Sequence, residues 1–269
     1  MTLRAAVSAS ATARGLAAGN RERAALIERF RRARRDPERA VLEGFHALKH
    51  ALRFKAEIEE VCALDPDRAG ALAAQLAPDV APRLRALAAP VPATVFEALA
   101  PAPPETGIIA IVRRPQVAPE AVLDRAGAAP VVLLEAPARL GNLGAAVRVA
   151  AAAGAAAVLT TGVHDPWQPA ALRGSAGLHF ALPVARLREL PPRTARPLLA
   201  IDPAGEPLCP GAIPDGALLA FGSERPGLSE TLLAAAERRI AIPMGEGVSS
   251  LNLASAVAVV LYLWRLGGT

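Results

Sequence analysis

Three short stretches of the chain concentrate side chains suited to holding a polar substrate. The first is Arg139-Leu-Gly-Asn142-Leu-Gly144-Ala-Ala-Val-Arg148, and the second is Phe221-Gly222-Ser223-Glu224-Arg225-Pro226-Gly227. The third is Ile242-Pro243-Met244, followed by Ser250-Leu251-Asn252. Arginine brings a planar fork of donors that fits phosphate and stacks on bases. Glycines allow positive φ or a close approach of backbone to ligand. Asn142 and Arg148, six apart, stand about 120° from facing each other on a helix, so neither needs the other as a direct partner. Ser250 is placed to start the final helix as a cap. Glu224, taken alone, reads as a surface or cap carboxylate. Two other clusters do less. Gly174-Ser175-Ala176-Gly177 fails the G-x-S-x-G spacing of a nucleophile elbow. His46 and His50 have the spacing of a two-histidine metal pair, but no H-E-x-x-H glutamate lies between them and no third ligand stands out. No metal is expected.

These residues need elements to hold them. Residues 21–35 read as a helix with Leu26, Ile27 and Phe30 on one side. Arg29, Arg31, Arg32, Arg34 and Arg35 crowd its end, which complements the helix dipole and makes a candidate phosphate-binding patch. A short strand at 40–42, a helix carrying Phe45, Leu48 and Leu52, a strand at 58–64, helices at 67–76 and 94–99, and a strand at 107–112 follow. Residues 113–129, with Pro115, Pro119 and Gly127, read as a linker. A second series then begins with the apolar strand 131–135, of the kind buried on both faces. A helix at 142–153, strands at 157–161, 198–201, 217–221 and 239–242, and a closing helix at 251–266 complete it. Strands alternating with helices imply a mainly parallel sheet. Such sheets bind ligands at the carboxyl ends of their strands, where the three polar stretches fall.

Taken together, the three stretches resemble the signature motifs of the SpoU/TrmH family of RNA ribose 2′-O-methyltransferases, within the SPOUT superfamily. Ala171-Leu-Arg173-Gly-Ser175-Ala-Gly177 resembles that family's substrate-side segment. The resemblance covers roughly residues 130–266 and agrees in order, spacing and chemistry at four places. It implies an α/β fold whose C-terminal SPOUT-type parallel sheet is tied in a trefoil knot. The run Val41-Leu-Glu43-Gly44-Phe45-His46-Ala47-Leu48 resembles the small α/β ribosomal-protein-like RNA-binding domain that precedes the knot in many members. The implied organisation is a mobile N-terminus at 1–20, an RNA-binding domain at 21–112, the linker at 113–129, and a knotted methyltransferase domain at 130–269. The resemblance further implies S-adenosylmethionine as cofactor, held by Gly222, Ile242, Met244 and Leu251. It marks Arg148 as catalytic, with Asn142, Glu224, Ser250 and Asn252 orienting Arg148, the substrate or the loops. Arg29, Arg31, Arg32, Arg34, Arg35 and Arg173 would meet RNA. Leu140 departs from a common proline, Val149 from a common threonine, and alanines near Ala152 replace an aromatic, all in packing rather than in the polar set.

Composition narrows the remaining classes. Of 269 residues 52% are apolar, so a sizeable core is available, and with nine aromatics it is built mainly from aliphatics and alanine. Of the 30 basic residues only Lys49 and Lys55 are lysines, and the net charge is +5. Up to residue 128 there are 19 basic and 15 acidic residues, against 11 and 10 after it, so the excess lies in the N-terminal half. Cys62 and Cys209 support neither a disulfide scaffold nor a cysteine zinc site, and a reducing compartment, the cytoplasm, is the default. No apolar run reaches the roughly 18 residues of a membrane span. The closing helix carries Leu251, Leu253, Ala254, Val257, Ala258, Leu261, Tyr262 and Trp264 around most of its circumference. One covered sheet face needs a single apolar stripe; together with the resemblance, this implies a homodimer through the C-terminal domain. The function expected is methyl transfer to the ribose of structured RNA, rRNA rather than tRNA. The alternative is a knotted RNA-binding protein without turnover.

Overall fold

The computed structural model describes residues 19–191 and 194–267, so the expected mobile segment 1–20 lies outside the described residues up to position 18. Helix α1 (19–33) starts two residues before the expected one. The chain divides into two compact units. One comprises the residues up to Phe45 with Glu57–Arg113, the other His46–Ala56 with Arg114 onward.

In the first unit, β1 (Arg39–Glu43), β2 (Ile58–Ala63), β3 (Ala88–Pro90) and β4 (Ile108–Arg113) form a sheet in the order β1-β4-β2-β3. β4 is antiparallel to β1 and β2, whereas β2 and β3 run parallel. After β1, Gly44 at φ +101° turns the chain into α2 (Phe45–Arg53), most of which lies with the second unit. The other helices of the first unit are α1, α3 (Pro66–Leu76), α4 (Ala81–Leu87) and α5 (Ala93–Leu99). Asp65 starts α3 by accepting from the Arg68 amide at 3.0 Å, with proline in the first turn. Val41, Cys62, Ile109 and Ile111 of the sheet bury against Phe30 of α1 and Val95, Phe96 and Leu99 of α5.

The second unit is a six-stranded sheet in the order β10-β8-β9-β5-β6-β7, parallel throughout. Its strands are β5 (Val131–Leu134), β6 (Ala157–Thr160), β7 (Val184–Arg186), β8 (Leu198–Pro207), β9 (Leu218–Phe221) and β10 (Arg238–Ala241). β5, β6 and β9 are buried at every residue, as apolar runs enclosed on both faces require. Val131 and Leu133 pack with Leu123 of α6 (Pro119–Asp124) and Leu232 of α9 (Glu230–Ala235). Helix α7 (Leu140–Ala153) packs against α8 (Pro169–Gly174) and α10 (Leu253–Gly267). The segment read as a linker therefore contains α6, and the reason is Leu123, which is fully buried in the core of the second unit.

One irregularity matters for the site. The β8–β10 pairing jumps from Arg239↔Ala200 to Ile240↔Glu206, so residues 201–205 leave the ladder. Pro203 has no amide proton to give it, and the Asp202 carboxylate instead accepts from the Ala204 amide at 2.7 Å. Gly205 returns the chain so close to the backbone of Arg239 and Ile240 that a Cβ there would collide with it.

Candidate active site

The carboxyl ends of β9 and β10, with the stretch where β8 leaves its ladder, border a cavity of about 220 Å³. Gly222, Ile242, Met244 and Leu251, distant in sequence, all line it, together with Phe221 and Leu253. Phe221 ends β9, and the chain then doubles back on itself. Ser223 and Gly227 exchange amide-to-carbonyl bonds at 3.2 Å in each direction. A Cβ on Gly222 would run into the Gly227 backbone, so this turn closes only around glycine. The turn aims Glu224 at the cavity rim.

Glu224 anchors a chain of polar contacts across three elements. Asn252 Nδ2 donates to Asn142 Oδ1 at 3.1 Å, and Asn142 Nδ2 donates to Glu224 Oε1 at 2.8 Å. The other carboxylate oxygen of Glu224 accepts from the Ala138 amide at 3.0 Å. Burial by itself would raise this carboxyl's pKa. The Asn142 amide and the backbone amides of Ala138, Glu224 and Arg139 outweigh it and hold the group below its ordinary range. Glu224 is thus a fixed anion that ties α7 and the start of α10 to the β9 turn.

Asn252, not Ser250, caps the last helix. Its Oδ1 accepts from the Ala254 amide at 2.9 Å, and α10 begins at Leu253 rather than at residue 251. Ser250 is exposed and lines the cavity. Its expected place as a cap is taken by a residue two positions on, whose side chain bonds the helix and Asn142 together.

Arg148 stands outside this network. It is exposed on α7, is not among the cavity-lining residues, and no hydrogen bond joins it to Asn142, Glu224 or Asn252. Arg173 is exposed near the end of α8. The turn after it is locked from inside. Ser175 and His179 are both fully buried. His179 Nε2 lies 2.9 Å from the Pro166 carbonyl, which only accepts, so Nε2 carries the proton and Nδ1 accepts from Ser175 Oγ at 2.7 Å. Burial drives the His179 pKa from 6.5 down to about 4, against the Pro166 carbonyl and Asp165, which favour its cation, and with Arg114, which opposes it. His50 does not stand as a ligand beside His46: its Nδ1 donates to the Ala176 carbonyl at 2.6 Å.

The arginines of α1 divide differently from the expectation. Arg29 pairs with Glu60 at 2.8 Å, Arg32 with Glu28 at 3.0 Å, and Arg34 with Glu43 at 3.0 Å. Arg34 is largely buried and also donates to the Phe30 carbonyl, so it joins α1 to β1. Arg31 and Arg35 face a groove shared with Glu28 and Asp36. Sequence reading passed over Asp202 and Pro203, which also line the cavity. The Asp-Pro-Ala-Gly run just past an apolar strand was the available signal, a turn at a strand's carboxyl end.

Residues 129–262 match the model of the SpoU rRNA Methylase family. A Synechocystis protein named as an uncharacterized tRNA/rRNA methyltransferase is 39% identical over 130 residues, 45% of this chain and 47% of that one. The 23S rRNA (guanosine(2553)-2′-O)-methyltransferase RlmP of Bacillus subtilis is 34% identical over 143 residues, 50% of this chain and 57% of its own length. The chain spans about half the length of the curated relatives it matches. The crystal structure of the SpoU methyltransferase AviRb from Streptomyces viridochromogenes, in complex with AdoMet, superposes with a TM-score of 0.69 at 23% identity, covering 84% of this chain and 89% of that one. That likeness extends to the α/β fold with its parallel sheet.

Proposed function

Through residues 129–262 the chain belongs to the SpoU rRNA methylase family, and from that membership we propose that the protein transfers a methyl group from S-adenosylmethionine to a ribose 2′-hydroxyl of structured RNA, rRNA rather than tRNA. The observation that carries this reading is the Asn252–Asn142–Glu224 chain on the rim of a cavity lined by Gly222, Ile242, Met244 and Leu251. The relative from Bacillus subtilis, named for 2′-O-methylation of 23S rRNA, and AviRb, crystallised with AdoMet, support it.

The cavity fits such a cofactor chemically. Ile242, Met244 and Leu251 offer apolar walls to an adenine ring, and Gly222 adds a stretch of main chain to the lining. Once bound, the cofactor supplies an electrophilic methyl on sulfur. Glu224, Asn142 and Asn252 hold the surrounding loops in one geometry, and Ser250 presents a hydroxyl to the same space. Arg148 serves the ribose side. As a literal base it would cost about 7–9 kcal/mol to deprotonate at neutral pH. Its positive charge lowers the pKa of a nearby hydroxyl and its fork steadies the adjoining phosphate. Arg173, Arg31 and Arg35 are further RNA contacts in this reading.

The same proposal takes the C-terminal region as a trefoil knot and the first unit as a ribosomal-protein-like RNA-binding domain, working in the cytoplasm. It pairs two copies through α10, where Val259, Tyr262 and Leu266 are 43%, 40% and 73% exposed beside a groove that shares Ile242 and Leu251 with the cavity. Calorimetric titration with S-adenosylmethionine, followed by transfer of labelled methyl to RNA and mapping of the modified ribose, tests the activity. A chain that binds the cofactor and RNA but turns nothing over would be a binding protein instead.

A further inference from the structure

We propose that Asp202 and Arg225 form a subsite for the amino-acid end of the cofactor, the carboxylate taking its ammonium group and the guanidinium its carboxylate. The subsite rests on the methyltransferase reading and assigns charged partners to a part of S-adenosylmethionine that apolar walls do not recognise.

Three charged side chains line the cavity: Asp202, Glu224 and Arg225. Glu224 is committed within the protein, one oxygen to the Asn142 side chain and the other to the Ala138 amide. Asp202 is committed through Oδ1 alone, which accepts from the Ala204 amide at 2.7 Å, and no bond to a described residue engages Oδ2. The Arg225 side chain has no hydrogen bond or ion pair with any described residue, Asp202 included. The cavity therefore offers one carboxylate oxygen and one guanidinium fork to whatever enters it. A neutral nucleoside would leave both charges without a counter-ion. A zwitterion compensates both, with an ammonium on the carboxylate oxygen and a carboxylate on a fork whose spacing matches its two oxygens.

Register brings the two to one place. β8 and β9 run parallel, and their last pair is Ile201↔Phe221. Asp202 is the next residue after Ile201, and the turn that carries Arg225 starts with the next residue after Phe221. Adjacent strands stand about 4.8 Å apart, so the two segments leave the sheet side by side at its carboxyl end. On the β8 side, the Asp202–Ala204 bond closes a local turn that fixes one oxygen and leaves the other. On the β9 side, the Ser223–Gly227 bonds put Arg225 in the middle of a closed turn. Pro226 disfavours helical backbone at Arg225, and Gly227, at φ +73°, completes the reversal. Asp202 is half-buried and Arg225 is exposed, which sets the carboxylate inside the cavity and the fork at its mouth.

The test is calorimetric and uses the full chain with three ligands. They are S-adenosylmethionine, S-adenosylhomocysteine, and 5′-methylthioadenosine, which keeps the nucleoside and the sulfur but lacks the amino-acid end. Asp202→Asn retains an oxygen for the Ala204 amide, and Arg225→Gln removes the charge without truncating to alanine. Each variant should weaken S-adenosylhomocysteine about tenfold, as loss of a charged hydrogen bond does, while 5′-methylthioadenosine keeps its wild-type affinity. Unchanged S-adenosylhomocysteine affinity in either variant overturns the subsite. Equal losses for S-adenosylhomocysteine and 5′-methylthioadenosine overturn it too, because the residues would then serve the nucleoside or the fold. So does a loss confined to S-adenosylmethionine, which would set Asp202 against the sulfonium. A wild type that binds none of the three overturns the methyltransferase reading and the subsite with it, a result read before any variant is made.

Discussion

Arg148 contributes a charge where Asn142, six residues earlier, contributes a scaffold. If Arg148 serves the ribose, Arg148→Ala should lower methyl transfer by about 100-fold or more, as loss of a charge-stabilising group does, while S-adenosylmethionine affinity stays near wild type. Arg148→Lys should also be poor, because a point charge replaces a fork. Single-turnover rates with parallel calorimetry check both; loss of cofactor binding would move Arg148 to the other side of the site. His179 makes a prediction of a different kind. Its folded pKa is about 4 against an ordinary 6.5, so the unfolded chain takes up the proton first as pH falls. The stabilisation is complete above pH 6.5 and is lost on descending towards pH 4, up to about 3 kcal/mol for a shift of this size. Melting temperatures between pH 7 and 4.5 should fall more steeply for the wild type than for His179→Gln; parallel slopes would refute the assignment. Cavity-lining residues were legible where glycine-bounded polar runs sit at strand ends. The carboxylate partners of Arg29 and Arg34 were not legible because the fold decides them: Glu60 is 31 positions from Arg29.

Helix ends and strand runs carry the next scale. Asn252 both caps α10 and bonds Asn142, so Asn252→Ala should cost about 1 kcal/mol as a lost cap and weaken cofactor binding as the rim loosens. Asn252→Asp should restore the cap without restoring the donor that Asn142 accepts from, so stability would recover and affinity would not. On α1 the contrast is between buried and exposed pairs. Arg34→Ala should destabilise by about 2 kcal/mol, because it removes a charge-assisted hydrogen bond to the Glu43 carboxylate, which is only 4% exposed. Arg32→Ala, an exposed pair, should change stability by less than about 1 kcal/mol. Denaturant unfolding of the two variants separates these outcomes. The apolar strands β5, β6 and β9 were legible because burial on both faces leaves little room for polar residues. Helix α6 was hidden by Pro119 at its start and Pro115 before it, and α4 with β3 by a segment too short and alanine-rich to show a period. Strand β7, three residues long, gave no signal above its surroundings.

At the scale of the whole molecule, α10 predicts its own partner. Sedimentation equilibrium at micromolar concentration should give twice the 27.7 kDa chain mass, and Tyr262→Glu/Leu266→Glu should return the monomer with reduced transfer. A fully active wild-type monomer would sink the pairing. The division of the chain has its own bearing on how the protein is made. Residues 46–56 belong to the second unit, yet the rest of that unit starts at 114, so the backbone passes between units three times. The two bodies are therefore not beads that could be exchanged by a single cut. During synthesis α2 leaves the ribosome well before the Arg173–Gly177 turn on which it rests. For that interval it is a helix without its seat, and the second unit is completed by its oldest piece rather than its newest. A fragment beginning at 114 would lack that piece, and a peptide of residues 46–56 supplied in trans is the natural complement to it.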